Sequence, residues 1–477
     1  MIKSSATRLA ELIRARAVSP VEVAEAYLRR IERFNPQWNA VVTLAPDLLE
    51  RAREAEDRVM RGEVLGALHG VPLTIKDTIE TQGLPATSGS VVRARHVPAE
   101  DAPAVARLKT AGAIVLGKTN VSEMALTYES DNPLFGRTNN PHDLRLTAGG
   151  SSGGEAAAIT GCFSAAGLGS DLSGSIRIPA HFCGIAGLKP TTGRVPGAGH
   201  FPPSTGPYSL GATIGPMARR VEDLSLMLSV IAGFNAPEFV SAPLERARET
   251  GRLRLQGWRV AWYTDDGSTP VTESTRLAVR AAASALEEAG LVATEVLPPG
   301  ISRGPDLWLS LFSRAILGHL LDIYRGREEE AGPFVRFMLA SMRDGPPPAL
   351  DRFLSAWEER DRLRAALVEW MEEWPLIIAP VGASQAFEHG TRRLAVGGHT
   401  LGVFRAFGYS QTFNVYGLPA ACVPAGRSPE GLPIGVQIIG RPFQEEAVLA
   451  AATLVEEALG GWQTPPPALW PEGHNPL

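Results

Sequence analysis

"APAVARLKTAGAIVLGKTN", residues 102–120, holds an amphipathic helix ended by Gly112 and an apolar strand that follows at once. Upstream, "GVPLTIKD" (70–77) is a second short apolar strand running into polar residues. Strand, helix and strand in close succession predict parallel strands joined by a covering helix. The texture returns late in the chain. "WPLIIAPVGA" (374–383), "AACVPAG" (420–426) and "IGVQIIG" (434–440) are apolar runs of strand length, and "EEAVLAAATLVEEAL" (445–459) has helical period. The expected fold is α/β: a large mixed, mostly parallel central sheet covered by helices on both faces.

Four stretches of one 1–477 unit follow from the same reading. Residues 1–65 are a helical segment, 66–235 a motif-dense core, 240–375 a variable helical region with six tryptophans, and 376–460 strands and a helix that complete the sheet. Ser19-Pro20-Val21-Glu22 predicts a helix start with a capping box, and Asn35-Pro36 predicts its stop. A polar helix is expected at about 44–62. "GAIVLGKT" (112–119) fits the phosphate-binding pattern G-x-x-x-x-G-K-[ST], but its four central residues are strand rather than open loop. "GGSSG" (149–153) fits the nucleophile elbow G-x-S-x-G, yet "NPHDLRLTA" before it is not an apolar strand, and no later histidine has a convincing setting.

Composition excludes other classes. A net charge of -5 lacks the basic footprint of a nucleic-acid binder. No apolar run approaches the ~20 residues of a membrane span, and the N-terminus lacks an apolar signal core. Three cysteines (Cys162, Cys183, Cys422) at unpatterned spacing suit buried thiols in a reducing compartment. The expectation is a cytoplasmic protein with no metal, no cofactor, no nucleic-acid partner and no integral membrane segment; a homodimer is left open. Only five of the 46 basic residues are lysines: Lys3, Lys76, Lys109, Lys118 and Lys189. Lysine, unlike arginine, can lose its proton when desolvated, so each of the five draws scrutiny.

Residues 149–187 carry ten glycines in 39 positions, against 49 in 477 overall. Such backbone turns sharply or approaches something closely. Within it stand "TAGGSSGGE", with Ser151 and Ser152, and "GSDLSGSIRIP" (169–179), with Ser170, Ser173 and Ser175. A serine hydroxyl needs a base within hydrogen-bond reach to become a nucleophile. Lys76, at the end of an apolar strand, is a candidate because burial favours its neutral form.

"GVPLTIKD", "GGSSGGEAAA" and "GLGSDLSGSIRIPAHFCGIAGLKPT" together resemble the amidase signature family. "GKTNVSEMAL" (117–126) and "GLPAACVPAGRSPEGLPIGVQIIGRPFQEEAVL" (417–449) extend the likeness, and "ESDNPLFGRTNNP" leans towards its fatty-acid amide hydrolase branch. The resemblance implies hydrolysis of an amide by a Ser–cis-Ser–Lys triad. Ser175 would be the nucleophile, Ser151 the bridging serine on a cis peptide bond, and Lys76 the base. The backbone N–H groups of Leu172, Ser173, Gly174 and Ser175 would form the oxyanion hole. Asp171, Arg177 and Ser152 are expected to support the loop; Ser170 is read as a structural hydrogen-bonder and Glu155 as an acid favoured by a helix N-terminus. The substrate would be a small-molecule amide, with Ala125, Leu126, Thr127 and Phe407 lining its pocket and residues 306–324 supplying either pocket wall or core.

The sequence departs from the family pattern once. Ser173-Gly174 stands where two glycines are usual, and a positive φ at Ser173 would be strained. The rival reading is the glutamine amidotransferase subunit of tRNA-dependent transamidation. That subunit carries an acid seven positions before the asparagine of its N-x-x-G-L-P segment. Here Asn414 begins "NVYGLP" and Phe407 occupies that position.

Overall fold

A computed structural model describes residues 1–242, 253–344 and 349–466. Eleven strands form one sheet: β1 (Val41–Leu44), β2 (Pro72–Lys76), β3 (Ile114–Thr119), β4 (Ala166–Asp171), β5 (Ala186–Lys189), β6 (Thr213–Ala218), β7 (Arg259–Trp262), β8 (Val292–Glu295), β9 (Leu376–Pro380), β10 (Ala420–Arg427) and β11 (Pro433–Gly440). Their spatial order is β1-β3-β2-β4-β6-β5-β10-β11-β9-β7-β8.

The α/β class and the mixed sheet are as expected, but parallel pairing is less extensive. It is confined to β3–β2–β4 and β9–β7–β8, four of ten pairings. The six remaining ladders are antiparallel. Helical crossovers favour parallel neighbours, whereas β10 and β11 are joined by a short turn, and short connections force antiparallel pairing.

Alternation along the strands sends residues into different cores, as the pleat requires. Leu376 and Ile378 of β9 join one cluster; Ile377 and Ala379 join another. The first cluster includes Ala278, Val279 and Ala282 of helix Glu273–Glu288 and Val448, Leu449 and Val455 of helix Glu445–Leu459. The second holds Leu307 and Trp308 of helix Gly304–Trp308 and Tyr409 and Phe413 of helix Gly408–Val415.

Three local expectations change. The Ser19 capping box forms, but its helix runs to Trp38 with Pro36 inside it. Trp38 is fully buried and stacks on Phe34 and Phe163, and this packing carries the helix past the proline. The 240–375 region is not only helical, because β7 and β8 extend the sheet; its residues 243–252 and 345–348 lie outside the described ones. Residues Asp143–Thr147 are a strand after all, paired with Asn139–Asn140 in a separate hairpin. The phosphate-loop match is strand β3, with all six residues buried.

Candidate active site

Strands β2 and β4 run parallel, with Thr74 beside Gly167 and Ile75 beside Leu168. Their C-terminal ends therefore meet at one edge of the sheet, where open α/β sheets place ligands. Lys76 is the last residue of β2 and is fully buried. Its Nζ lies 2.7 Å from Ser151 Oγ, 2.9 Å from Ser170 Oγ and 3.4 Å from the Ser170 carbonyl oxygen. Burial lowers its pKa to about 7, against the opposing pull of the Asp171 and Glu155 charges. At neutral pH a substantial share of this lysine is a free amine with an available lone pair.

Ser151 follows Gly150 through a cis peptide bond, just before helix Gly153–Thr160. Ser130 Oγ donates to the Ser151 carbonyl (3.3 Å) and accepts from the Gly153 N–H (2.8 Å), fixing the turn. Ser175 lies in the turn between β4 and helix Arg177–Cys183. Ser151, Ser170 and Ser175 all line one cleft of about 480 Å³, its open mouth included. No hydrogen bond closes between the Ser151 and Ser175 hydroxyls.

Asp171 and Arg177 brace this turn. The guanidinium makes two bonds of 3.0 Å to the carboxylate, and both side chains are fully buried. Arg177 also donates to Gln437 Oε1 (2.7 Å) and Asn414 Oδ1 (2.6 Å), while Asn414 Nδ2 donates to Asp171 Oδ1 (2.9 Å). Burial alone would raise the Asp171 pKa, but the Arg177 charge and hydrogen bonds outweigh it and hold the carboxyl well below the usual range. Ser152 Oγ donates to the Ser170 carbonyl (3.3 Å), a contact within the scaffold. Glu155 sits in the first turn of helix Gly153–Thr160, buried, accepting from Thr119 (2.7 Å) and from Thr74.

The expected ring of backbone donors is reduced by one. The Gly174 N–H donates to Asp171 Oδ1 (2.7 Å), because the Arg177-held carboxylate sits directly beneath it. The N–H groups of Leu172, Ser173 and Ser175 carry no bond to another described residue. The Ser173 departure is also resolved. The positive φ (+106°) falls on Gly174, where a Cβ would stand 2.6 Å from Ser410 Cβ. Ser173 needs no left-handed backbone, and its carbonyl accepts from the Tyr128 hydroxyl (2.9 Å).

Of the residues expected on the pocket wall, Ala125 and Leu126 line the cleft. Phe407 and Thr127 do not. Phe407 is fully buried in an aromatic cluster with Tyr128, Phe182 and Phe387. The Thr127 hydroxyl turns to the Glu129 carbonyl (2.8 Å). The wall is supplied instead by Met124, Leu172, Pro202, Tyr208 and Ile316. Residues 306–324 play both parts: Ile316 faces the cleft while Leu311 and Phe312 pack in the core.

Two further groups belong to this site: Ser170, read from the sequence as a structural hydrogen-bonder, and His200, which sequence reasoning missed. Ser170 contacts the lysine directly rather than serving only the scaffold. His200 lines the cleft from the 190–212 loop, its Nε2 2.8 Å from Ser170 Oγ. His200 stands in "GAGHFPPS", 124 positions after Lys76, and no local pattern marks it.

A model of the Amidase family matches residues 22–449. Fatty-acid amide hydrolase 2 of Homo sapiens is 32% identical over 491 residues, covering 97% of this chain and 90% of that protein. One subunit of the glutamyl-tRNA(Gln) amidotransferase of Carboxydothermus hydrogenoformans is 33% identical over 478 residues, covering 95% of this chain and 96% of its own. Among solved structures, 6-aminohexanoate cyclic dimer hydrolase complexed with substrate superposes with a TM-score of 0.86 at 29% identity, covering 98% of this chain and 99% of that one. With the buried lysine, the paired serine loops and these full-length likenesses together, the chain belongs to the Amidase family and is an amide hydrolase.

Proposed function

We propose that the chain cleaves carboxylic amides through an acyl-enzyme on Ser175, with Ser151 as proton relay and Lys76 as base. The observation that carries this reading is the buried Lys76 amine 2.7 Å from Ser151 Oγ, at a cleft that Ser175 also lines. Ser175 Oγ attacks the amide carbonyl carbon and passes its proton to Ser151 Oγ. Ser151 gives its own proton to Lys76, since a hydroxyl donates and accepts at once. The N–H groups of Leu172, Ser173 and Ser175 are the free donors for the carbonyl oxygen as it becomes an oxyanion. The proton returns from Lys76 through Ser151 to the departing nitrogen as the C–N bond breaks. Water, giving a proton to Lys76 along the same route, then attacks the acyl carbon; the C–Oγ bond breaks, the proton returns to Ser175 Oγ, and the acid leaves.

The walls formed by Met124, Leu126, Leu172, Tyr208 and Ile316 favour an apolar or aryl amide. The glutamine reading is disfavoured by the cleft's composition. Among the described residues Asp171 is the one acid lining it, and Arg177 already binds that carboxylate in two bonds, leaving no free acid to hold a substrate ammonium. A cytoplasmic setting is part of the proposal, supported by three free buried cysteines. The test is a panel of short aliphatic, aryl, fatty and glutamine amides given to the purified chain. Turnover of apolar or aryl amides by the chain alone, lost in Ser175→Ala, is expected. Turnover of glutamine only, and only with an added partner, would overturn the substrate class.

A further inference from the structure

The proton inventory around Lys76 is set by His200. Its Nδ1 lies 2.9 Å from the Pro202 carbonyl oxygen, which can only accept, so Nδ1 carries the ring proton. Burial, with the Lys76 charge adding to it, lowers the ring's pKa to about 4, so the imidazole is neutral near pH 7. Nε2 is then a bare acceptor, and its partner at 2.8 Å is Ser170 Oγ. The Ser170 hydroxyl hydrogen is committed to His200. Towards Lys76, 2.9 Å away, Ser170 Oγ can only accept.

That constraint propagates. A neutral amine has two N–H donors and one lone pair. Ser170 offers two acceptors, Oγ at 2.9 Å and the carbonyl at 3.4 Å. Both N–H groups are thereby directed at Ser170, and the lone pair is left facing Ser151 Oγ at 2.7 Å. We infer that His200 is a positioning residue: through Ser170 it orients the Lys76 lone pair toward Ser151, so that protons leave Ser151 in one direction. Without His200 the Ser170 hydroxyl is free to turn, donate to the lone pair and compete with Ser151.

This inference rests on the triad proposed above, and its test separates the two. Nitrogen-15 NMR of the histidine-labelled wild-type chain, with His200 assigned by its loss in His200→Gln, reads the tautomer without any turnover. A proton on Nδ1 and none on Nε2 is expected; a proton on Nε2 overturns the inference whatever Ser175→Ala does. Kinetics supply the second arm, on an amide that the wild type processes. His200→Phe, which keeps ring volume but accepts nothing, should lower kcat by about tenfold with KM within about twofold, the scale of one misdirected hydrogen bond. His200→Gln, whose amide can accept from Ser170 and donate to Pro202, should recover most of that loss. Ser170→Ala should cost a similar factor, and adding His200→Phe to it should cost nothing more, because both act through one contact. Losses that multiply in the double variant, or a His200→Phe enzyme with unchanged kcat, would overturn the inference.

Discussion

Lys76 and Lys118 stand on adjacent parallel strands, both fully buried and both depressed in pKa chiefly by that burial, to about 7 and about 8. Ile75 is the register partner of Lys118, so the two lysines leave opposite faces of the sheet. What separates them is what each ammonium meets. Lys118 Nζ donates to the Ile79 carbonyl and to Thr81 Oγ1 (3.2 Å), tying down the turn after β2. The carbonyl only accepts, and the Thr81 hydroxyl already donates to that same carbonyl (3.3 Å), so this lysine is held as a donor. Lys76 meets the hydroxyls of Ser151 and Ser170, which can donate as well as accept. Burial tunes both lysines; the proposed role of base goes to the one whose hydroxyl partners line a cleft.

The largest test of that contrast is kinetic. Ser175→Ala and Lys76→Met should each lower kcat by roughly 10⁴-fold or more, while Lys118→Met keeps it within about tenfold. Equal losses at the two lysines, measured on folded protein, would break the comparison. Arg177→Met strips the partner from a buried carboxylate and should lower unfolding free energy by about 3–5 kcal/mol in a denaturant titration. Lys118→Met leaves the Ile79 carbonyl without its donor, and a loss of about 1–3 kcal/mol is expected from the same experiment. A Lys118→Met enzyme as stable as wild type would show that its contacts anchor nothing. The smallest effect belongs to the turn before Ser175. Ser173→Gly should cost within ~1 kcal/mol, whereas Gly174→Ala, with positive φ and Ser410 in the way, should cost more. A reversed order in melting temperature would move the strained position back to Ser173.

Much of this was legible because function concentrates its signal locally. Ser151 and Ser175 stand in dense glycine- and serine-rich strings, and Lys76 is a rare lysine at the end of the apolar string GVPLTIKD. Helix Glu445–Leu459 matches its apolar period to the residue. The misses have physical causes. Strands β4 and β5 are rich in glycine and alanine, so their burial comes from close packing rather than from an apolar pattern. β7 and β8 are four residues each, too short to stand out among charged helices. Phe407's place before Asn414 suggests the pocket wall, yet it caps the junction of helices Val403–Ala406 and Gly408–Val415, and side-chain direction there decides between cleft and core. His200 reaches Ser170, and through it the lysine, only because its loop folds back over the ends of β2 and β4, a long-range event that no local string records.

The central claim is that neutral Lys76 activates Ser175. The sign of the pH effect follows from the depressed pKa. Below about 7 the group is ammonium with no lone pair, so reactivity should fall as pH drops, by about tenfold per unit. The direct measurement is the rate at which a fluorophosphonate, a general acylation mimic for activated serines, labels the chain between pH 5 and 9, with the labelled residue located by peptide mass. Labelling of Ser175 that rises to a plateau through about pH 7, and is lost in Lys76→Met, is the predicted result. Labelling at another residue, or a Ser175 rate that ignores pH and survives Lys76→Met, would contradict it.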